Sequence, residues 1–110
     1  MAEPTVADFA SLEIRVAQII DVDHFPEARK PAWKLTLDFG PLGIRRSSAQ
    51  IANYAREELI GRPVVAVTNI GTRRIADFTS ECLVLASIGG DGVPVLLAAG
   101  PAAHPGDRVS

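Results

Sequence analysis

From Leu12 to Val22 the apolar residues fall mainly on even positions (Leu12, Ile14, Val16, Ile20, Val22), while Glu13, Arg15 and Asp21 hold odd ones. A period of two predicts a β-strand with one buried face. Gln18 and Ile19 break the alternation mid-run. This predicts a long strand that bends, exchanges its faces and is shared between two sheets. Trp33, Leu35, Leu37 and Phe39 then alternate with Lys34, Thr36 and Asp38, giving a second strand, and Gly40-Pro41-Leu42-Gly43 reads as the turn after it. A third strand is expected over residues 44–50. It is polar for a strand, with only Ile44 and Ala49 apolar, so one of its faces is either solvated or used for binding.

Asn53 as N-cap, Ala55 and Leu59 four apart, and Gly61 as a stop predict a short helix over residues 54–60. Residues 64–68 form a continuous apolar run, a buried fourth strand. A loop over 71–80 holds Arg73, Arg74 and Phe78, and a fifth strand follows over 82–87. Gly89-Gly90-Asp91-Gly92 is a hairpin turn into a last strand at 93–98, where Pro94 implies an edge. Residues 1–10 read as a flexible or loosely docked arm anchored by Phe9, and residues 99–110 as a turn-rich C-terminal extension. Three strands, a short helix and two further strands make the chain order of an all-β OB-fold, a five-stranded Greek-key barrel, here as a single domain over 1–110. Such barrels bind ligands on the face of strands two and three and on the loops after strands one and four.

Charge sharpens that expectation. Residues 24–50 carry five basic side chains (Arg29, Lys30, Lys34, Arg45, Arg46) against Glu27 and Asp38, a local +3 in a chain whose net charge is -2. A basic face on an acidic remainder is a candidate surface for an anionic partner, and the overall balance excludes an indiscriminate polyanion binder. Lys34, Arg45, Arg46, Arg73 and Arg74 all fall on the expected ligand elements. Arg45 and Arg46, as strand neighbours, point to opposite faces. Phe25 and Phe78 lie in predicted loops, where burial is harder, and are the better candidates for walls of an apolar pocket. Trp33 begins an inward-alternating strand and reads first as core or dimer contact, and Tyr54 as cover for a barrel end. Few aromatics fall at outward positions of the basic face, which counts against base stacking.

The lone Cys82, flanked by Leu83, Val84 and Leu85, reads as a small core residue, and a single cysteine fits a reducing cytoplasmic setting. The first ten residues have no basic n-region with an apolar run behind it, and no stretch approaches the ~20 apolar residues of a membrane span, so neither signal nor membrane insertion is expected. His24 and His104 are too isolated for metal ligation, and no P-loop, GxSxG or dinucleotide fingerprint occurs. No enzyme activity and no cofactor are expected.

The segments Leu12-Glu13-Ile14-Arg15-Val16, Phe25-Pro26-Glu27-Ala28-Arg29-Lys30-Pro31-Ala32-Trp33-Lys34-Leu35, Ser47-Ser48-Ala49-Gln50-Ile51 and Ser80-Glu81 before an apolar strand resemble CsaA. These bacterial export-related chaperones belong to the tRNA-binding class of OB domains, and the resemblance runs from about Phe9 to the C-terminus. It implies a homodimer with segments outside the barrel at its interface, capture of unfolded or precursor polypeptides, work with the Sec export machinery, and possible tRNA binding. Phe25, Trp33, Tyr54, Ile75 and Phe78 are the expected apolar contacts of a polypeptide. Lys34, Arg45, Arg46, Ser48, Gln50, Arg73, Arg74 and Ser80 are the expected contacts of tRNA phosphates or other anions.

Overall fold

The computed structural model describes residues 2–110; Met1, the first residue of the expected arm, lies outside the described residues. The long first strand, β1 (Ile14–His24), is the spine. Its N-terminal half pairs with β4 (Pro63–Val67) and its C-terminal half with β2 (Trp33–Asp38), both antiparallel, with a register shift between Ile19 and Asp21. β3 (Ile44–Ala49) adds to β2, and β7 (Leu83–Val84) to β4, giving the order β3-β2-β1-β4-β7. The barrel closes where the Glu81 N–H donates to the Arg46 carbonyl at 2.8 Å and the Ser47 hydroxyl donates to the Cys82 carbonyl at 2.9 Å. The fold is the expected OB-fold barrel.

The exchange of faces along β1 is real, and it is sharper than simple alternation predicts. Ala17, Ile19 and Val22 point into the main core with Leu35, Leu37, Phe39, Leu59 and Val64, all at most 1% exposed. Ile14 instead joins Val65 and Val67 in a second cluster on the opposite face. The extra residue of the bulge turns Ile20 outward, to 42% exposure, although the even-position pattern had put it inside.

Several elements differ from the sequence reading. The expected arm contains a capped helical turn, α1 (Val6–Ala10), in which Thr5 and Asp8 exchange backbone-to-side-chain hydrogen bonds of 2.7 and 3.2 Å. Phe9 stays 47% exposed and does not anchor it. The anchors are polar: Arg108 donates to the Ala10 carbonyl, and Asn69 donates to the Ser11 carbonyl while accepting from the Glu13 N–H. The short helix is α2 (Arg56–Leu59), two residues later than expected at its start. Asn53 does not cap it. Its amide donates to the Pro94 carbonyl, and Glu58 accepts from the Ala55 N–H.

The expected loop over 71–80 folds into a small hairpin, β5 (Arg73–Ile75) and β6 (Phe78–Ser80). The expected fifth strand breaks at Leu85 into β7 and β8 (Ala86–Ile88). β8 turns back through β9 (Pro94–Leu96), where Pro94 sits as expected in a two-stranded edge ribbon. The turn-rich C-terminal extension is tied to the barrel: Gly106 and Val109 N–H groups donate to the Val16 and Ile14 carbonyls, and Val16 N–H to the Asp107 carbonyl, so the tail runs as a partner along β1. Among the described residues no helix is long and apolar enough to cross a membrane.

Candidate binding cleft and its basic rim

A cleft of about 870 Å³ opens between the β1–β2 loop, the end of β3 and the β5–β6 hairpin. The loop brings Ala28, Arg29, Lys30 and Ala32 to one wall, and the hairpin and the turn before it bring Ile70, Thr72, Arg73 and Ile75 to the other. Ser48, Gln50, Ser80, Cys82 and Leu83 also line it. The strand register explains the selection. Arg73 lies opposite Ser80 and Ile75 opposite Phe78, so these share one hairpin face, while Arg74 and Thr79 share the other. Ser80 is tied down by its own hydrogen bond: its hydroxyl accepts from the Ser48 N–H at 3.0 Å, which fixes the hairpin to β3. Burial pushes the Cys82 thiol up to about 11, so at neutral pH it remains a neutral, unreactive part of the cleft floor.

Of the residues singled out for anions, Ser48, Gln50, Arg73 and Ser80 therefore converge, joined by Ile75 from the polypeptide set. The others go elsewhere. Arg45 donates to the Thr68 carbonyl at 2.8 Å. Lys34 and Arg46 occupy the outer face of β2 and β3, with the Arg46 guanidinium 3.8 Å from Asp23, and Arg74 is exposed on the far side of the hairpin. Arg29 and Lys30 are cleft cations outside the expected anion contacts; their signal is the basic stretch and a place on the loop after strand one, an expected ligand element.

The expectation that Phe25 and Phe78 are hard to bury is overturned. They are 4% and 3% exposed and pack against each other at 5.3 Å between ring centroids, tilted by 58°. They escape exposure because Lys34 and Arg46 lie over them: Lys34 Nζ is 4.8 Å from the Phe25 centroid and Arg46 4.6 Å from that of Phe78. Phe25 still borders a shallow apolar hollow with His24, Pro26, Pro31, Trp33 and Ala52. Trp33 is half-buried, its indole N–H donating to the Tyr54 carbonyl, and the Tyr54 hydroxyl accepts from the Leu96 N–H. Tyr54 thereby holds the barrel end to the edge ribbon.

Residues 14–108 match the family described as "Putative tRNA binding domain". The crystal structure of a CsaA chaperone protein from Picrophilus torridus superposes with a TM-score of 0.92 at 45% identity, covering 98% of this chain and 100% of that one. The chain belongs to the CsaA branch of the tRNA-binding domain family. A CsaA chaperone structure from Bacillus anthracis str. Ames agrees, with a TM-score of 0.91 and 41% identity over 99% of this chain and all of that one. A MetRS related protein from Pyrococcus horikoshii, at 23% identity and a TM-score of 0.89, shares the fold. The same domain is matched in methionine–tRNA ligase 1 of Sorangium cellulosum, 41% identical over 108 residues, 97% of this chain. The chain spans 15% of the length of that relative.

Proposed function

We propose that this chain is a non-enzymatic, chaperone-type protein of the cytoplasm that holds extended stretches of unfolded or precursor polypeptide in the cleft and passes them to the Sec export machinery. One observation carries the reading: the cleft sets apolar Ala28, Ala32, Ile70, Ile75 and Leu83 among the cations Arg29, Lys30 and Arg73, with no aromatic ring among its lining residues. Small apolar surfaces with a cationic rim suit a chain of mixed side chains with acidic positions. They offer no aromatic ring for bases to stack on. The end-to-end likeness to CsaA chaperone structures supports the same reading.

The protein acts as a homodimer in this proposal. Val95 in β9 and its flanking neighbours Val93 and Leu97 are 54%, 42% and 42% exposed, an apolar row at alternate positions outside the five-stranded sheet that a second copy would cover. Pairing would double the clefts and raise avidity for a long client.

The second reading is a tRNA-binding module. It is favoured by the family match and by the rim cations Arg29, Lys30 and Arg73, which would contact phosphates. Salt separates the two. Phosphate contacts lose affinity steeply as salt rises, with a slope of about -0.7 per phosphate neutralised on a single strand, whereas apolar capture persists. The test is binding of purified protein to an unfolded precursor polypeptide and to bulk tRNA, side by side at low and near-physiological salt. Salt-resistant polypeptide binding with weak tRNA binding is the expected result; tight, salt-labile tRNA binding without polypeptide capture transfers the conclusion to the RNA reading.

A further inference from the structure

The Phe25–Phe78 pair stands apart from the rest of the apolar interior. Neither ring belongs to the main core or to the second cluster around Ile14, yet both are almost wholly buried. Their cover includes the long side chains of Lys34, within 4.8 and 5.6 Å of the two ring centroids, and Arg46, at 4.6 Å from Phe78. Such a cover is removable. Cation–ring contacts at accessible sites are weak, and the ion pair holding Arg46 to Asp23 spans 3.8 Å between side chains 44% and 56% exposed. Phe25 also borders the open apolar hollow beside Pro26, Pro31 and Trp33, so an approach to the pair exists on the Phe25 side.

We propose that Phe25 and Phe78 form a second, covered binding site for an aromatic side chain of an extended polypeptide, opened when an acidic neighbour of that side chain draws Arg46 off the Phe78 ring. Asp23 is the internal competitor. It occupies the place on the guanidinium that the client's carboxylate takes, and so keeps the rings shut when no suitable segment is present. An aromatic side chain arriving from the hollow then packs edge-to-face or offset on the two rings, a geometry that aliphatic side chains do not reproduce. Each half of the client pattern serves one step: the acid moves the cover, and the ring fills the site. This rests on the polypeptide reading of the protein and adds the segment class it selects, an aromatic residue flanked by acids.

The experiment measures binding of the full chain to three short disordered labelled peptides by fluorescence anisotropy. They are an aromatic residue among aspartates, a leucine among aspartates, and the same aromatic residue among asparagines. The intact protein should prefer the first. Asp23→Asn, which frees Arg46, should tighten the aspartate peptides by roughly two- to fivefold, the worth of one exposed ion pair. Arg46→Ala should raise the affinity for the aromatic–asparagine peptide and erase the advantage of acids. Phe78→Leu, checked for folding by circular dichroism, should abolish the preference for the aromatic over the leucine. If Arg46→Ala leaves the aromatic–asparagine peptide as weakly bound as by the intact protein, the covered site is overturned, while continued capture of the leucine peptide shows that the polypeptide reading survives. If no variant binds any peptide and a short single-stranded RNA binds instead, both fall.

Discussion

The two faces of β2 and β3 are made by the same backbone, one residue out of step, and they solve opposite problems. Inside, Leu35 and Leu37 are wholly buried, and Ser47, directly opposite Leu35, is buried with its hydroxyl committed to the Cys82 carbonyl. Outside, Lys34 and Arg46 lie over the rings of Phe25 and Phe78, with Asp23 alongside. The inner face is held by close packing, in which every methylene has neighbours. The outer face is held by contacts individually weak and each open to competition from solvent or ligand. A barrel of this kind keeps its shape through one face of its strands and leaves the other adjustable.

The sharpest way to break that contrast is Leu37→Ala. A buried leucine truncated inside a packed core loses both its transfer energy and its neighbours' contacts, so stability should fall by about 3 kcal/mol. Urea denaturation followed through the single tryptophan, Trp33, reads it directly. A loss below about 1 kcal/mol would mean that the interior relaxes as freely as the exterior.

The next effect is a pH dependence at the seam between the faces. Burial raises the Cys82 thiol from 9.0 to about 11, opposed in part by the Ser47 hydroxyl and Arg45. The sign follows from linkage. Below pH 9 the thiol is neutral in both states; above it the unfolded chain ionises first, so stability declines from about pH 9 to pH 11, by roughly 2–3 kcal/mol in all. Cys82→Ala should flatten that part of the alkaline limb, and a limb unchanged by the substitution would show the thiol to be uninvolved.

Gly106 tests the tail. It has a φ of +96°, and a Cβ there would lie 2.7 Å from the Phe39 carbonyl oxygen and 3.2 Å from Pro41 Cδ. Gly106→Ala should therefore cost about 2 kcal/mol and raise hydrogen exchange at the Val16 and Val109 amides, which bond across the tail–β1 seam.

How far these features can be read from the chain depends on the kind of force that makes them. Alternation at Trp33, Leu35, Leu37 and Phe39 yields β2 directly, because packing one face of a strand leaves a period of two. The same rule fails at Ile20: the broken alternation at Gln18 and Ile19 announces the exchange of faces but not on which side of the bulge Ile20 falls. It fails again at Phe25 and Phe78, where loop position argued for exposure and two cations from other strands supplied the cover. Asn53 has the chemistry of a cap, yet it bonds Pro94, distant in sequence, and Glu58 bonds the helix start instead. The basic stretch marks the ligand side of the barrel. Its division between the cleft (Arg29, Lys30), a barrel hydrogen bond (Arg45) and the outer sheet face (Lys34, Arg46) is a matter of register.

Arg45 and Arg46 put the contrast between the faces into one dipeptide. Arg45, opposite Leu37 in the ladder, donates to the Thr68 carbonyl at 2.8 Å and ties β3 to the end of β4; Arg45→Ala should cost about 1.5 kcal/mol, the net worth of one partly buried charged hydrogen bond. Arg46, one residue on, reaches only a half-exposed aspartate and a ring face, and Arg46→Ala should change stability by no more than about 1 kcal/mol. Paired thermal melts of the two variants measure the difference. Equal losses would mean that Arg46 is as structural as Arg45, and the outer face would then be a fixed surface; a loss confined to Arg45 leaves Arg46 free to exchange Asp23 for a ligand without cost to the barrel.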